Sequence, residues 1–96
     1  MRAQRVEEWQ WDDENLRELA RHGVQRRQVE QIWRGSPRFR RNRRRRAASH
    51  QMIGPTGGGT MLVVCIVEVA GQPGLWRAIT GWPADAPELD WYRRSR

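Results

Sequence analysis

The stretch Met61-Leu62-Val63-Val64-Cys65-Ile66-Val67 is the longest apolar run in the chain, and it decides the fold. A strand built from successive apolar residues is apolar on both faces, so we expect it at the centre of a sheet. Turn-forming glycines flank it, in Thr56–Gly59 before the run and in Gly71–Gly74 after it. The run is too short to cross a bilayer, so we expect no contact with a membrane.

The segment from Leu75 to Trp82 is predicted to be the partner strand, because it follows a turn and ends before Pro83, which cannot continue a central strand. The two strands form a central hairpin over about 60–82. Strict alternation along the second strand divides its side chains between two faces. One face carries Leu75, Arg77, Ile79 and Gly81, and the other carries Trp76, Ala78, Thr80 and Trp82.

Helices are predicted before and after the strands along the chain. An amphipathic helical hairpin is expected over about 12–34, with an acidic N-cap at Asp12 or Asp13 and with Gly23 ending its first helix. A short closing helix is expected over about 86–94. The sequence therefore predicts a single domain over residues 1–96 of the α+β class, with an antiparallel sheet of about four strands.

The positive charge of the chain is concentrated in one segment. Residues 35–50 contain seven arginines and no acid, and the segments on either side are each electrically balanced, so this segment carries the formal net charge of +7. We call these arginines the arginine strip: Arg38, Arg40, Arg41, Arg43, Arg44, Arg45 and Arg46. Like charges at this density disfavour an exposed helix, so a strand pair is expected over about 38–54.

A concentrated basic field attracts polyanions, and nucleic-acid phosphate is the commonest polyanion in a cell. The guanidinium group also binds phosphate through two parallel hydrogen bonds. We therefore predict that the arginine strip binds RNA. Two alternatives stay open: a solvated charge run without a ligand, and a docking site for an acidic protein partner.

The cysteine and histidine content limits the chemistry. Cys65 is the one cysteine, so the chain cannot form an internal disulfide, and a cytoplasmic location is expected. Cys65 belongs to the apolar run and is expected to be a small buried residue. The sequence shows no cluster of cysteine and histidine, so we expect neither a metal site nor a cofactor.

Four stretches, in order, resemble the BrnT family of bacterial toxins: Trp11-Asp12-x-x-Asn15 through His22-Gly23-Val24, Ile53-Gly54-Pro55-Thr56, Arg77-Ala78-Ile79-Thr80, and Glu88-x-x-x-Tyr92. The resemblance implies a fold similar to RelE-type ribonucleases. It also implies the toxin of a type II toxin–antitoxin pair, a metal-independent endoribonuclease that forms a hetero-oligomer with a ribbon-helix-helix antitoxin.

The chain departs from the family pattern at cationic positions. Trp82 stands where the family usually has a second arginine, Leu89 replaces an arginine of the closing helix, and the chain contains no lysine. Two interpretations follow. The arginine strip substitutes for the missing cations, or this member binds nucleic acid without cleaving it.

Three residues are candidates for catalysis. His50 follows the strip, and its titration range suits proton transfer near neutral pH. Arg77 is a candidate phosphate clamp, with an ion pair to Glu68 as the alternative. Tyr92 matches the closing tyrosine of the family, and its alternative role is to anchor the last helix. Trp82 either stacks on a base or packs in the fold.

Overall fold

The structure, a computed structural model, describes residues 5–43 and 47–95 and contains three helices and five strands in that part of the chain. The prediction of an α+β fold is confirmed. In chain order the elements are β1 (Glu8–Trp9), α1 (Asp13–Arg21), α2 (Arg26–Arg34), β2 (Arg38–Arg41), β3 (His50–Pro55), β4 (Met61–Glu68), β5 (Leu75–Pro83) and α3 (Ala86–Arg94).

The strands form one mixed sheet in the order β1-β5-β4-β3-β2. The pairs β2–β3, β3–β4 and β4–β5 are antiparallel, and β1 pairs with β5 in parallel. The expectation of about four antiparallel strands is therefore wrong in one respect, because β1 adds a parallel edge. A two-residue strand is too short to show a periodicity. It is held by its pairing with β5 and by Trp9, which is buried in the core.

Helices α1 and α2 cover one face of the sheet. Helix α1 begins with a capping box in which Asp12 and Asn15 each accept a hydrogen bond from the backbone of the other. Gly23 follows α1 with a positive φ of 77°, a conformation that glycine adopts without steric cost. Apolar residues of both helices pack on the sheet and form the core, with Leu19, Val29 and Ile32 fully buried.

A register shift in the central hairpin changes which residues of β5 face the helices. Cys65 pairs with Thr80, but the next residue of β4 pairs with Ala78, so Ile79 is extra in β5. Both Ala78 and Gly81 consequently lie towards Leu19 of α1. The strict alternation expected along the whole of β5 is therefore wrong, because it placed these two residues on opposite faces.

Helix α3 lies against the opposite face of the sheet. Gln51 alternates along β3 with Met52, which belongs to the core beneath α1 and α2. Arg40 contacts both Gln51 and Trp91 of α3, so α3 lies on the Gln51 side. Helix α3 contributes no buried residue. None of the helices in the described part of the chain has the length and apolarity needed to cross a membrane.

Candidate nucleic-acid interface

A groove of about 760 Å³ lies between the end of the edge strand β2 and helix α3. We call it the α3 groove. Arg40, Arg41 and Arg43 of the arginine strip line one side of it. The aromatic rings of Trp82 and Trp91 also line it, and both residues are half-buried. The groove therefore combines guanidinium groups with flat apolar surfaces.

Packing fixes the direction of the Arg40 side chain. Its Nε donates a hydrogen bond to Gln51 Oε1 at 2.7 Å, and its guanidinium lies 4.8 Å from the centre of the Trp91 ring. Gln51 in turn donates to Asn42 Oδ1 at 3.2 Å, and Asn42 donates to the carbonyl of Ala48 at 3.1 Å. Both amides are buried. This chain of hydrogen bonds joins Asn42 to Ala48 and holds Arg40 against α3.

The neighbouring arginines carry charge without a carboxylate partner. Arg38 lies 4.8 Å from the ring centre of Tyr92 and donates to its carbonyl at 3.1 Å. Arg41 and Arg43 are exposed. Within residues 5–43 and 47–95, none of the arginines at positions 38, 40, 41 and 43 forms an ion pair. The predicted binding residues Arg44, Arg45 and Arg46 lie outside the described residues.

The other side of the α3 groove is acidic. Asp85 and Glu88 line it and form the capping box of α3, each accepting from the backbone N–H of the other at 2.9 and 2.8 Å. Trp82 Nε1 donates to both carboxylate oxygens of Glu88, at 3.2 and 3.1 Å. The indole of Trp82 therefore orients a carboxylate, a role that the sequence analysis missed. The Asp-x-x-Glu pattern of Asp85 and Glu88 signals the capping box, but no local pattern shows the contact with Trp82.

His50 opens β3 on the face of the sheet opposite the α3 groove. Its ring meets the Trp76 ring edge-on, with 5.7 Å between their centres, and its Nδ1 lies 2.8 Å from Ser49 Oγ. Partial burial, and then the positive charge of Arg41, hold the pKa of His50 below its usual value of 6.5. The imidazole is therefore mostly neutral at neutral pH and able to accept a proton. Arg41 is paired with His50 in register, so both side chains belong to this face, and Arg41 also lines the groove at the edge of the sheet.

Arg77 lies away from the arginine strip, at the start of helix α1. Its guanidinium donates to both carboxylate oxygens of Asp12, at 2.6 and 3.2 Å, and lies 3.6 Å from Glu14. Hydrogen bonding to Arg77, assisted by the backbone of Asn15, lowers the pKa of Asp12 from 3.8 to about 2. Glu68 accepts from a backbone N–H instead, at 2.8 Å. Arg77 thus joins β5 to the N-terminus of α1, and its charge is already compensated.

Tyr92 is held at both ends of its side chain. Its hydroxyl donates to the carbonyl of Ser36 at 2.6 Å, and its ring lies beneath the guanidinium of Arg38. These contacts join α3 to the segment that enters β2. They are the contacts expected if Tyr92 anchors the last helix rather than acting in catalysis.

A second polar cluster joins α1 to β5, and sequence reasoning did not find it. Glu18 accepts from Thr80 Oγ1 at 3.0 Å and lies 3.1 Å from His22 Nε2 and 2.9 Å from Arg21. The hydrogen bonds from Thr80 and His22 are the main causes that lower the pKa of Glu18. The pairing within α1 follows from the i,i+3 and i,i+4 spacing. The contact with Thr80 depends on the irregular strand β5, which no local pattern shows.

No protein-family model matches this chain, and no curated protein matches its sequence. In the described part of the chain, no group of three or more histidine, cysteine or acidic side chains is arranged to hold a metal ion. Function is therefore inferred from the contacts and charges of the chain itself.

Proposed function

We propose that this protein binds single-stranded RNA along the face formed by β2 and α3. The observation that carries the proposal is that the guanidinium groups of Arg38 and Arg40 lie over the rings of Tyr92 and Trp91, with no carboxylate partner in the described residues. Uncompensated arginines beside aromatic rings are the combination that single strands require, because phosphates bind the cations and bases stack on the rings.

The α3 groove favours a single strand over a duplex. Bases in a duplex already stack on each other, and A-form RNA presents its phosphates and 2′-hydroxyls rather than base faces. Trp82 and Trp91 are half-buried inside a groove, where an unpaired base can reach them and a duplex cannot insert one. The aromatic surface of the groove therefore favours an unpaired base as its ligand.

The resemblance to BrnT toxins supplies a biological setting for this binding. We propose that the chain is the toxin of a type II pair and that an acidic segment of a ribbon-helix-helix antitoxin covers the arginine strip. The uncompensated charge of Arg41 and Arg43 supports this, because a bound acidic segment would neutralise it. Co-expression with the product of the neighbouring reading frame tests the idea. A ribbon-helix-helix partner that blocks RNA binding supports it, and the lack of any such partner contradicts it.

Metal-independent RNA cleavage is a second candidate, and His50 favours it. Because His50 lies on the face opposite the α3 groove, this candidate requires the RNA to pass over the edge strand β2 at Arg41. A neutral imidazole beside Arg41 is suited to take the proton from a ribose 2′-hydroxyl. The freed oxygen then attacks the adjacent phosphorus to give a 2′,3′-cyclic phosphate. The bond to the 5′-oxygen breaks, and that oxygen takes a proton from water. In this mechanism Arg41 offsets the charge on the phosphate.

One experiment separates binding from cleavage. A labelled pool of single-stranded RNA is incubated in EDTA at pH 7.5 with the wild type, with His50→Gln and with the double variant Arg41→Gln/Arg43→Gln. Filter retention measures binding, and a denaturing gel measures cleavage. Retention by the wild type and by His50→Gln, but not by the arginine variant, supports RNA binding. Cleavage by the wild type that His50→Gln abolishes supports the nuclease. No retention of RNA by the wild type would overturn the proposed function.

A further inference from the structure

The two sides of the α3 groove carry opposite charges. Arg40 and Arg43 line one side, and Asp85 and Glu88 line the other. A bare phosphate ion suits only the first side, because the carboxylates repel it. The groove therefore suits a ligand that has an anion at one end and hydrogen-bond donors at the other.

The acidic side is held rigidly and still has room to accept hydrogen bonds. Glu88 is fixed by Trp82 Nε1 and by the backbone N–H of Asp85. A carboxylate offers about four acceptor positions, and the single N–H of Trp82 is shared between its two oxygens. Asp85 uses Oδ1 to cap α3, and within the described residues its Oδ2 accepts no hydrogen bond. Both carboxylates thus present acceptors, and neither presents a donor.

A nucleotide has the required distribution of charge, and its base decides whether it fits the acidic side. Cytosine presents an N4 amino group, whereas uracil presents an O4 acceptor at the same position of the ring. A carboxylate accepts a hydrogen bond from the first and repels the second. The volume of about 760 Å³ lies in the range of small-ligand sites and is large enough for a nucleotide.

We infer that the α3 groove selects RNA bases that carry an exocyclic amino group and rejects uracil. Glu88 and Asp85 are the specificity-determining residues, and Trp82 and Trp91 supply the stacking surfaces. The inference rests on the proposed RNA binding, and it adds the class of base that the groove accepts. Cytosine against uracil is its sharpest case, because the two pyrimidines have the same size and differ at this hydrogen-bonding edge.

The test compares two labelled pentanucleotides, UUCUU and UUUUU, which carry the same number of phosphates. Fluorescence anisotropy at pH 7.5 and low salt gives both dissociation constants. We expect the wild type to bind UUCUU about tenfold more tightly, because the carboxylates accept a hydrogen bond from cytosine N4 and not from uracil O4. In Glu88→Gln the preference falls to about twofold or less, because the amide replaces one acceptor oxygen with a donor.

The variants are chosen to preserve the fold. Glutamine at position 88 keeps the capping box of α3, and asparagine at position 85 remains a good N-cap, so Asp85→Asn gives a second, independent test. Asp90→Asn is the matched control, because Asp90 pairs with Arg94 and does not line the groove. It should keep the full preference. Circular dichroism confirms that each variant is folded.

The outcomes test the base preference separately from the proposed RNA binding. Equal binding of both pentanucleotides by the wild type overturns the base preference and leaves RNA binding intact. A preference that survives in both Glu88→Gln and Asp85→Asn overturns the role of the carboxylates. Failure of the folded wild type to bind either pentanucleotide overturns the proposed function as well.

Discussion

The guanidinium of Arg40 lies 4.8 Å from the centre of the Trp91 ring, and its Nε donates to Gln51 at 2.7 Å. This arrangement joins the edge strand β2 to helix α3 through a cation that has no carboxylate partner in the described residues. Arg38, two residues earlier in β2, makes a similar contact with the ring of the next residue of α3, Tyr92. Contacts with aromatic rings, rather than ion pairs, thus fix the positions of these two guanidinium groups. Their positive charge therefore stays available for a ligand.

The first prediction concerns the contacts of the Arg40 guanidinium with Trp91 and Gln51. Arg40→Lys keeps the charge but loses the contact between the guanidinium and the Trp91 ring and the hydrogen bond from Nε to Gln51. We expect RNA affinity to fall several-fold while its dependence on salt stays unchanged, because the number of cations is the same. Anisotropy titrations at several salt concentrations measure both quantities. Wild-type affinity in Arg40→Lys would show that these contacts are unimportant.

The second prediction assigns Tyr92 to anchoring. Tyr92→Phe keeps the ring beneath Arg38 and loses the hydrogen bond to the carbonyl of Ser36. We expect the free energy of unfolding in urea to fall by about 0.5–1.5 kcal/mol, the usual net value of one hydrogen bond. RNA binding and any cleavage should be unchanged. A large loss of cleavage at unchanged stability would instead place the hydroxyl in the reaction.

The third prediction concerns the protonation of His50. Its pKa should lie below 6.5 in an NMR titration, because partial burial and the charge of Arg41 both disfavour the imidazolium ion. Arg41→Gln removes one of these causes, so the pKa should rise towards 6.5 without reaching it. If His50 is the base in cleavage, the midpoint of the acidic limb of the pH–rate profile should move to higher pH by the same amount. Arg27→Gln, an exposed arginine on α2, is the control and should leave the pKa unchanged.

The fourth prediction concerns acid stability. The folded-state pKa of Asp12, about 2, lies below its ordinary value of 3.8, so its contribution is present above pH 4 and is lost as the pH falls towards 2. Arg77→Gln should lower the thermal midpoint at pH 7 and flatten its decline between pH 4 and pH 2. Asp12→Asn keeps the cap of α1 but loses the ion pair, so it should behave like Arg77→Gln. An unchanged decline in both variants would contradict the assignment.

Local sequence signals were sufficient for the helices and for the central strand. Asp12 and Gly23 mark the two ends of α1, and the apolar run from Met61 to Val67 lies within β4. The arginine strip was also expected to enter a strand pair, and β2 pairs with β3. In each case the physical cause is local: a cap, a turn or a run of apolar residues.

Features that depend on distant contacts were not visible in the sequence. Strand β1 exists because Trp9 packs in the core, and the register shift at Ile79 depends on how β4 and β5 pair. The partner of Arg77 is Asp12, 65 residues away, rather than the expected Glu68. The alternation of strand β3 also places His50 on the face opposite the α3 groove, although His50 follows the strip closely in sequence.

The central claim is that the arginine strip binds RNA phosphates, and the salt dependence of binding tests it most directly. Each phosphate contact to single-stranded RNA contributes about 0.7 to the slope of log affinity against log salt. Arg41→Gln/Arg43→Gln should therefore reduce the slope by about 1 to 1.5. Arg17→Gln/Arg27→Gln removes the same charge from exposed positions on α1 and α2 and should leave the slope nearly unchanged. Equal slopes for the two double variants would contradict the account.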